Sequence, residues 1–382
     1  MPNDLEDQIF SPEEQGDDDE AYAASYQVAE REVSTTPADP DVETILKRIE
    51  HKNLVLRPDF QRASVWSNTQ KSKLIESLLL NLPIPPCFLA EDDDSVRVVV
   101  DGQQRLRSID DFYHGRYALT GLQVLKDLNG KYWADLPPKL DRKILQRVIR
   151  TLVISHYTNP GIRFEIFERL NSGGEPLTEQ EIRNATLRGS FNTMLNRIAD
   201  SPAFLKAMAV KKPDERLRHH ELILRFFAVR AAVSDYKPPL KMILSEFMRI
   251  HRSDDESAIK DFERLFAETQ HKVELVFGKD SFRRYREKEG VVGFEKSVSK
   301  AVFELQMISI SFLPEAALLP EAASIAAAFK SLSLTDQTFA ESLSRATDHR
   351  KRFYQRLMHW NGELVKLGLV NDLTPILANI QE

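Results

Sequence analysis

The chain of 382 residues contains a single cysteine, Cys87, which excludes an internal disulfide and any zinc site built from several cysteines. No run of about 18 uninterrupted apolar residues, the length that crosses a bilayer, is evident. The opening residues, MPNDLEDQIF, are acidic where a secretory leader is basic and then apolar. The expected location is therefore the cytoplasm, with no membrane partner. A Walker-type phosphate loop is also missing, because Gly278-Lys279 lacks both the upstream glycine and the following Ser or Thr. Among nine histidines there is no HExxH, and the adjacent His219 and His220 would point about 100° apart on a helix. Histidine-bound metal is not expected. Cys87, followed by Phe and Leu, reads as a buried thiol rather than a nucleophile.

What is present is unevenly distributed. The net charge is −6, yet the stretch through Pro40 holds twelve acidic residues and one basic residue, so the remainder is mildly basic at +5. Residues 1–38 lack apolar periodicity and read as an acidic, disordered tail. Its run over residues 13–20 suits a solubilising tail, or a nucleic-acid mimic that shields a basic groove. The length predicts two or three domains. We expect a core over residues 39–190 and a mostly helical domain over residues 191–382.

Within the core, Val42, Ile45, Leu46 and Ile49 share one helical face. Leu54 to Leu56 read as a short strand ended by Pro58. Ser67 with Gln70 forms a capping box for a helix whose inner face is Leu74, Ile75, Leu78 and Leu79. Pro83, Pro85 and Pro86 stop that helix and force an extended segment into Cys87-Phe88-Leu89. Val98 to Val100 read as a buried strand paired with it as a hairpin. The segment from Tyr117 to Trp133 predicts short strands and turns, Pro137-Pro138 open a helix over residues 139–148, and residues 151–157 read as a β-branched strand. Further on, Asn159 and Pro160 start a helix, Gly173-Gly174 end it, and Thr178 with Glu181 caps the next. Beyond Phe191 the apolar spacing is helical nearly throughout, and Pro314 and Pro320 read as the starts of two helical segments.

The most informative stretch is VRVVVDGQQRLRSIDDF, residues 96–112. Strand becomes helix at Asp101-Gly102-Gln103-Gln104-Arg105. The first N–H groups of a helix have no partner in their own helix, the macrodipole is positive there, and glycine admits a ligand close to the backbone. Arg105 adds a planar cation suited to phosphate or carboxylate. The plainer alternative is a turn in which Asp101 caps the helix and Arg105 pairs with a nearby acid. Basic clusters at residues 211–218, 283–288 and 349–356 have two readings as well: a nucleic-acid surface, or solvated helix faces.

Three segments taken together, RPDFQRASVWSNTQKSKLIESLLLNLPIPPCFL, VVVDGQQRLRSIDDF and IFERLNSGGEPLTEQEIRNA, resemble the N-terminal domain family of GmrSD-type modification-dependent restriction systems, within the ParB/sulfiredoxin-like superfamily. The resemblance implies an α+β fold: a small ParB/sulfiredoxin-like mixed-sheet core followed by a mostly helical domain. It implies a role in defence against foreign DNA, with a nucleoside triphosphate and Mg2+ bound, and hydrolysis as a further step, at the DGQQR turn. Carried onto matching positions, Asp101, Gln104 and Arg105 would be the catalytic residues. Gln61, Arg62, Gly102, Gln103 and Asn171 would hold the nucleotide, and Asp101 would carry the metal. In the sulfiredoxin-like relatives a catalytic cysteine sits in the corresponding turn, where this chain has Gln103, so sulfinic-acid reduction is excluded. The C-terminal HNH nuclease of many family members has no counterpart beyond His359-Trp360-Asn361, so cleavage would fall to a partner nuclease. The helical domain would then contact DNA or that nuclease. The alternative is a non-catalytic DNA-binding or adaptor protein of ParB-like fold in which the same turn grips a DNA phosphate.

Overall fold

The computed structural model of the protein describes residues 35–56, 66–91, 96–154, 178–214 and 216–380. Among these, one compact unit ends at Thr186 and a second begins at Leu187.

In the first unit, strand β1 (Thr35–Ala38) leads into helix α1 (Val42–Glu50). The Asp41 carboxylate caps α1 by accepting the Thr44 N–H at 2.8 Å. Strand β2 (Leu54–Val55) follows. Helix α2 (Asn68–Leu80) opens with the expected Ser67/Gln70 capping box and closes at Asn81 in the left-handed region. The proline-rich segment then gives strand β3 (Cys87–Glu91), followed by strand β4 (Arg97–Asp101) and helix α3 (Gln103–Tyr113). Helix α4 (Pro138–Leu145), strand β5 (Thr151–Ile154) and helix α5 (Glu179–Thr186) complete the unit. Thr178 and Glu181 form the anticipated reciprocal cap at α5.

The sheet order is β1-β5-β3-β4-β2. β3 and β4 pair antiparallel as the hairpin reading requires, whereas β3 with β5 and β2 with β4 run parallel. β1 pairs antiparallel with β5. The expected mixed sheet is thus present. Alternation explains why Val98 to Val100 are all apolar: Val99 packs with Leu89, Ile75, Ile109 and Phe112, while Val100 packs with Ala90, Ile154 and Ile182. Both faces of β4 are covered at these positions, which explains the unbroken apolar run.

The structure departs from expectation at several places. Residues 35–38, read as the end of a loose tail, form an edge strand, because their backbone completes a ladder with β5 that composition does not reveal. The segment from Tyr117 to Trp133 contains no strand; its regular pieces are single 3-10 turns at Lys126–Leu128 and Trp133–Asp135. Side chains of α2 satisfy its amides instead. The Glu76 carboxylate accepts the N–H groups of Val124 at 2.9 Å and Leu125 at 2.8 Å, and the Ser72 hydroxyl accepts that of Thr120 at 2.9 Å. The helix read over residues 139–148 stops at Leu145. The helix started by Asn159 and Pro160, its Gly173-Gly174 end, and residues 155–157 of the β-branched strand lie outside the described residues.

The second unit is mostly helical: α6 (Ser190–Ala199), α7 (Pro202–Ala207), α8 (Arg218–Ala231), α9 (Leu240–Ile250) and α10 (Glu256–Phe277) come first. A hairpin of β6 (Tyr285–Lys288) and β7 (Val291–Phe294) interrupts the helices. Its two-residue turn, Glu289-Gly290, has φ of 54° and 78°, the backbone that a tight hairpin demands. That Glu-Gly pair was its available sequence signal. Helices α11 (Lys300–Ser311), α12 (Glu315–Thr335), α13 (Gln337–Ser342), α14 (Arg350–Lys366) and α15 (Leu373–Ala378) follow. α11 is buried from Ala301 to Ile310 and forms the centre of the unit.

Pro320 does not start a helix of its own; it lies inside the continuous α12. Burial of Leu318, Ile325, Phe329 and Leu332 in the core holds the helix through the missing N–H. By length and mean hydropathy α12 is long and apolar enough to cross a membrane, although Glu321 and Lys330 interrupt its apolar residues. Those four side chains nevertheless pack into the helical core.

Candidate functional site

β4 delivers Asp101 at the end of a buried strand, and α3 starts immediately after Gly102. Gly102 has φ of 94° and supplies no side-chain cap to α3. It is also closely covered from below. A Cβ at this position would lie 2.4 Å from Cys87 Sγ and 2.9 Å from Cys87 Cβ. Glycine is therefore required twice, by its φ and by the strand beneath it. Cys87 is fully buried, and burial pushes its thiol pKa up to about 11. It is a packing atom under the turn, as its apolar neighbours in sequence suggest.

Arg105 reaches back across the turn. Its Nη2 donates to Asp101 Oδ2 at 2.7 Å, and its Nη1 donates to the carbonyls of Pro85 and Pro86, the latter at 3.2 Å. The guanidinium ties the start of α3 to the segment entering β3, so Pro85 and Pro86 belong to the turn as well as stopping the preceding helix and extending the chain into β3. Asp101 stays 38% exposed at its side chain, and its Oδ1 accepts no hydrogen bond from the described residues. Gln104 Oε1 is buried without a hydrogen-bond partner. The turn thus brings Asp101, Gly102, Gln103, Gln104 and Arg105 together. Gln61, Arg62 and Asn171 lie outside the described residues.

The opposite end of α3 is anchored by charge. Lys71 Nζ donates to Asp111 Oδ2 at 2.8 Å, and Arg116 bridges Asp110 at 3.0 Å and Asp111 at 2.8 Å. Burial pushes the Asp111 pKa upward, but hydrogen bonds from Lys71 and Arg116 hold it below its ordinary value. These acids fix the helix that carries the turn.

Several arginines of the basic clusters in the second unit are paired internally. Arg218 pairs with Asp214 at 2.9 Å, and Arg283 donates to the carbonyls of Lys279 at 2.9 Å and Ser281 at 2.8 Å. Arg352 pairs with Glu341 at 3.1 Å, and Arg350 donates to the Tyr236 carbonyl at 2.6 Å. Arg356 is buried against Glu304 at 2.8 Å; Glu304 also takes Arg225 at 2.8 Å. Lys211, Lys212, Arg286, Lys288 and Lys351 are exposed, so solvated and internally paired cations stand side by side in these clusters.

His219 and His220 are buried, and burial pushes the pKa of each down to about 4. The unfolded chain then takes up protons near pH 6.5 that the folded chain refuses until about pH 4. Stability from these residues is complete above pH 6.5 and falls as the pH drops through that window, by about 1 kcal/mol per pH unit for each histidine. Urea midpoints measured from pH 8 to pH 4 check this. Replacing His220 with Phe is expected to flatten the slope, and an unchanged slope would remove the assignment. His359 instead pairs with Asp336 at 2.5 Å, and Trp360 beside it is fully buried with its Nε1 donating to Ser309 Oγ at 3.0 Å. No group of three or more metal-ligating side chains occurs among the described residues.

No curated protein and no solved structure matches the chain. The family model described as GmrSD restriction endonuclease, N-terminal domain, matches residues 42–188. That span contains α1, strands β2 to β5 of the mixed sheet, the glycine turn and α5. This similarity of residues 42–188 to GmrSD restriction endonuclease N-terminal domains points to a restriction-type defence protein.

Proposed function

We propose that the N-terminal domain binds a nucleoside triphosphate with Mg2+ at the Asp101–Arg105 turn and that this occupancy governs engagement of DNA or of a partner nuclease. The observation that carries the reading is the start of α3: a helix N-terminus with no side-chain cap, a backbone kept open by Gly102, and two unspent acceptors, Asp101 Oδ1 and Gln104 Oε1, beside it. Uncapped N–H groups at a helix start favour phosphate oxygens.

The residues present suit the metal. Mg2+ usually takes only one or two protein carboxylates and draws its remaining ligands from phosphate and water, and Asp101 offers one exposed carboxylate with a free oxygen. Bound there, the ion would neutralise phosphate charge beside the carboxylate. Arg105 orients Asp101 and lends positive charge to the turn. Gln104 offers its buried carbonyl oxygen to a ligand or a water. Gln61, Arg62, Gln103 and Asn171 complete the nucleotide site in this reading. Hydrolysis is the further step of the same reading, and phosphate release measures it.

Titration of the full chain with the four triphosphates, with Mg2+ and with EDTA, tests the assignment. Saturable, Mg2+-dependent binding is expected, weakened about tenfold or more by Asp101→Asn, equivalent to about 1.4 kcal/mol. Unchanged affinity in that variant, or no binding of any triphosphate, removes the site. If DNA binds instead, with an affinity that falls steeply as salt is added and is weakened by Asp101→Asn or Arg105→Ala, the turn grips a phosphodiester and the protein is an adaptor.

A further inference from the structure

The second unit contains a cleft of about 420 Å³ walled by the β6 segment, α12, α13 and the residues after α13. Its volume lies in the range of small-ligand sites. Arg284 and Arg286 reach it from the hairpin, Arg345 from the segment after α13, and Ser333, Gln337 and Ser344 add polar groups. Tyr285, Ala340 and Leu343 supply an apolar wall.

Two observations point to a phosphorylated occupant. The first is charge. Arg284 and Arg286 share one carboxylate, Glu295, and Glu341 is taken by Arg352. Lys330 lies 5.9 Å from the centre of the Tyr285 ring and 5.6 Å from that of Phe294. Among the residues that line the cleft, three arginines accompany one carboxylate, Glu341. Guanidinium forks prefer phosphate oxygens, which they meet in two parallel hydrogen bonds. The second is Ser333, 5% exposed, whose hydroxyl has no hydrogen-bond partner although it lines the cleft. A serine hydroxyl within a helix ordinarily bonds back to a carbonyl one turn earlier. Leaving a buried hydroxyl unsatisfied is costly, and a ligand oxygen in the cleft would remove the penalty.

We propose that this cleft binds a phosphomonoester of mononucleotide size, its phosphate toward the arginines and Ser333 and its ring along the Tyr285 and Leu343 wall. The site is separate from the Asp101–Arg105 turn and does not depend on it. The test uses the full chain carrying Asp101→Asn, which weakens the turn, titrated calorimetrically with AMP, adenosine and inorganic phosphate. Saturable AMP binding is expected, with adenosine weaker by about tenfold or more because it lacks the charged group. Ser333→Ala and Arg345→Gln should each weaken AMP by about threefold or more without lowering the unliganded melting temperature. Equal binding of AMP and adenosine, no saturable heat, or indifference to both variants overturns the proposal. Preference for a 5′-phosphorylated oligonucleotide over AMP overturns the mononucleotide assignment and moves the site to a nucleic-acid end.

Discussion

Gly102→Ala is expected to destabilise the N-terminal unit by about 3 kcal/mol. Two costs combine. An L-residue forced into a positive φ costs about 1–2 kcal/mol, and wedging a methyl group into a packed core costs about 1–3 kcal/mol. Here φ is 94° and the new carbon would meet Cys87 Sγ at 2.4 Å. The Cys87 Cβ, 2.9 Å from the new carbon, is held by the pairing of β3 with β4 and β5, so rotating the sulfur away relieves only part of the clash. The double variant Gly102→Ala, Cys87→Ala removes the sulfur but leaves the positive φ and the Cβ contact at 2.9 Å, so it should recover part of the loss. Hydrogen exchange of the β4 and α3 amides reports the change in this unit directly. A single variant that loses less than about 0.5 kcal/mol, the scale of an ordinary surface substitution, would show that the turn does not rest on the strand as described.

Glu304→Ala is expected to cost the helical unit about 3–5 kcal/mol, the usual penalty for removing one member of a buried ion pair. Glu304 lies on α11, with Oε1 taking Arg225 and Oε2 taking Arg356, each at 2.8 Å. Without it Arg225 keeps Asp348 at 3.0 Å and Glu221 at 3.1 Å, but Arg356 keeps only the carbonyl of Thr347 among these partners. Arg356 is 1% exposed, so water cannot replace the lost carboxylate. Adding Arg356→Met should restore most of the stability, since buried ion pairs replaced together by apolar groups are often neutral or better. Trp360, fully buried on the same helix as Arg356, is a fluorescence reporter for the unfolding. If the double variant is as unstable as the single one, packing rather than charge explains the loss.

The sequence showed the elements of the N-terminal unit wherever local chemistry decides them. Ser67 with Gln70 and Thr178 with Glu181 specify helix starts through side chains three residues apart, and Pro83 to Pro86 permit only an extended entry to β3. The valine run of β4 announced burial on both faces. Long-range satisfaction was not legible. Glu76 reads as an ordinary exposed helix residue, yet its carboxylate organises residues 123–125, about fifty positions away in sequence. The two partners that shape the turn, Cys87 below Gly102 and the Pro85 and Pro86 carbonyls on Arg105, were visible as residues but not as neighbours. The arginines after residue 280 were equally misleading as a linear cluster, because whether a guanidinium faces solvent or a buried glutamate depends on helix packing.

The five-stranded sheet is bounded by β1, which carries Pro37 opposite Leu152, and by β2, which is two residues long. Proline offers no amide hydrogen, and two residues give an incoming chain almost no ladder to read. Among the described residues, both margins of the sheet are thereby poor templates for an added strand.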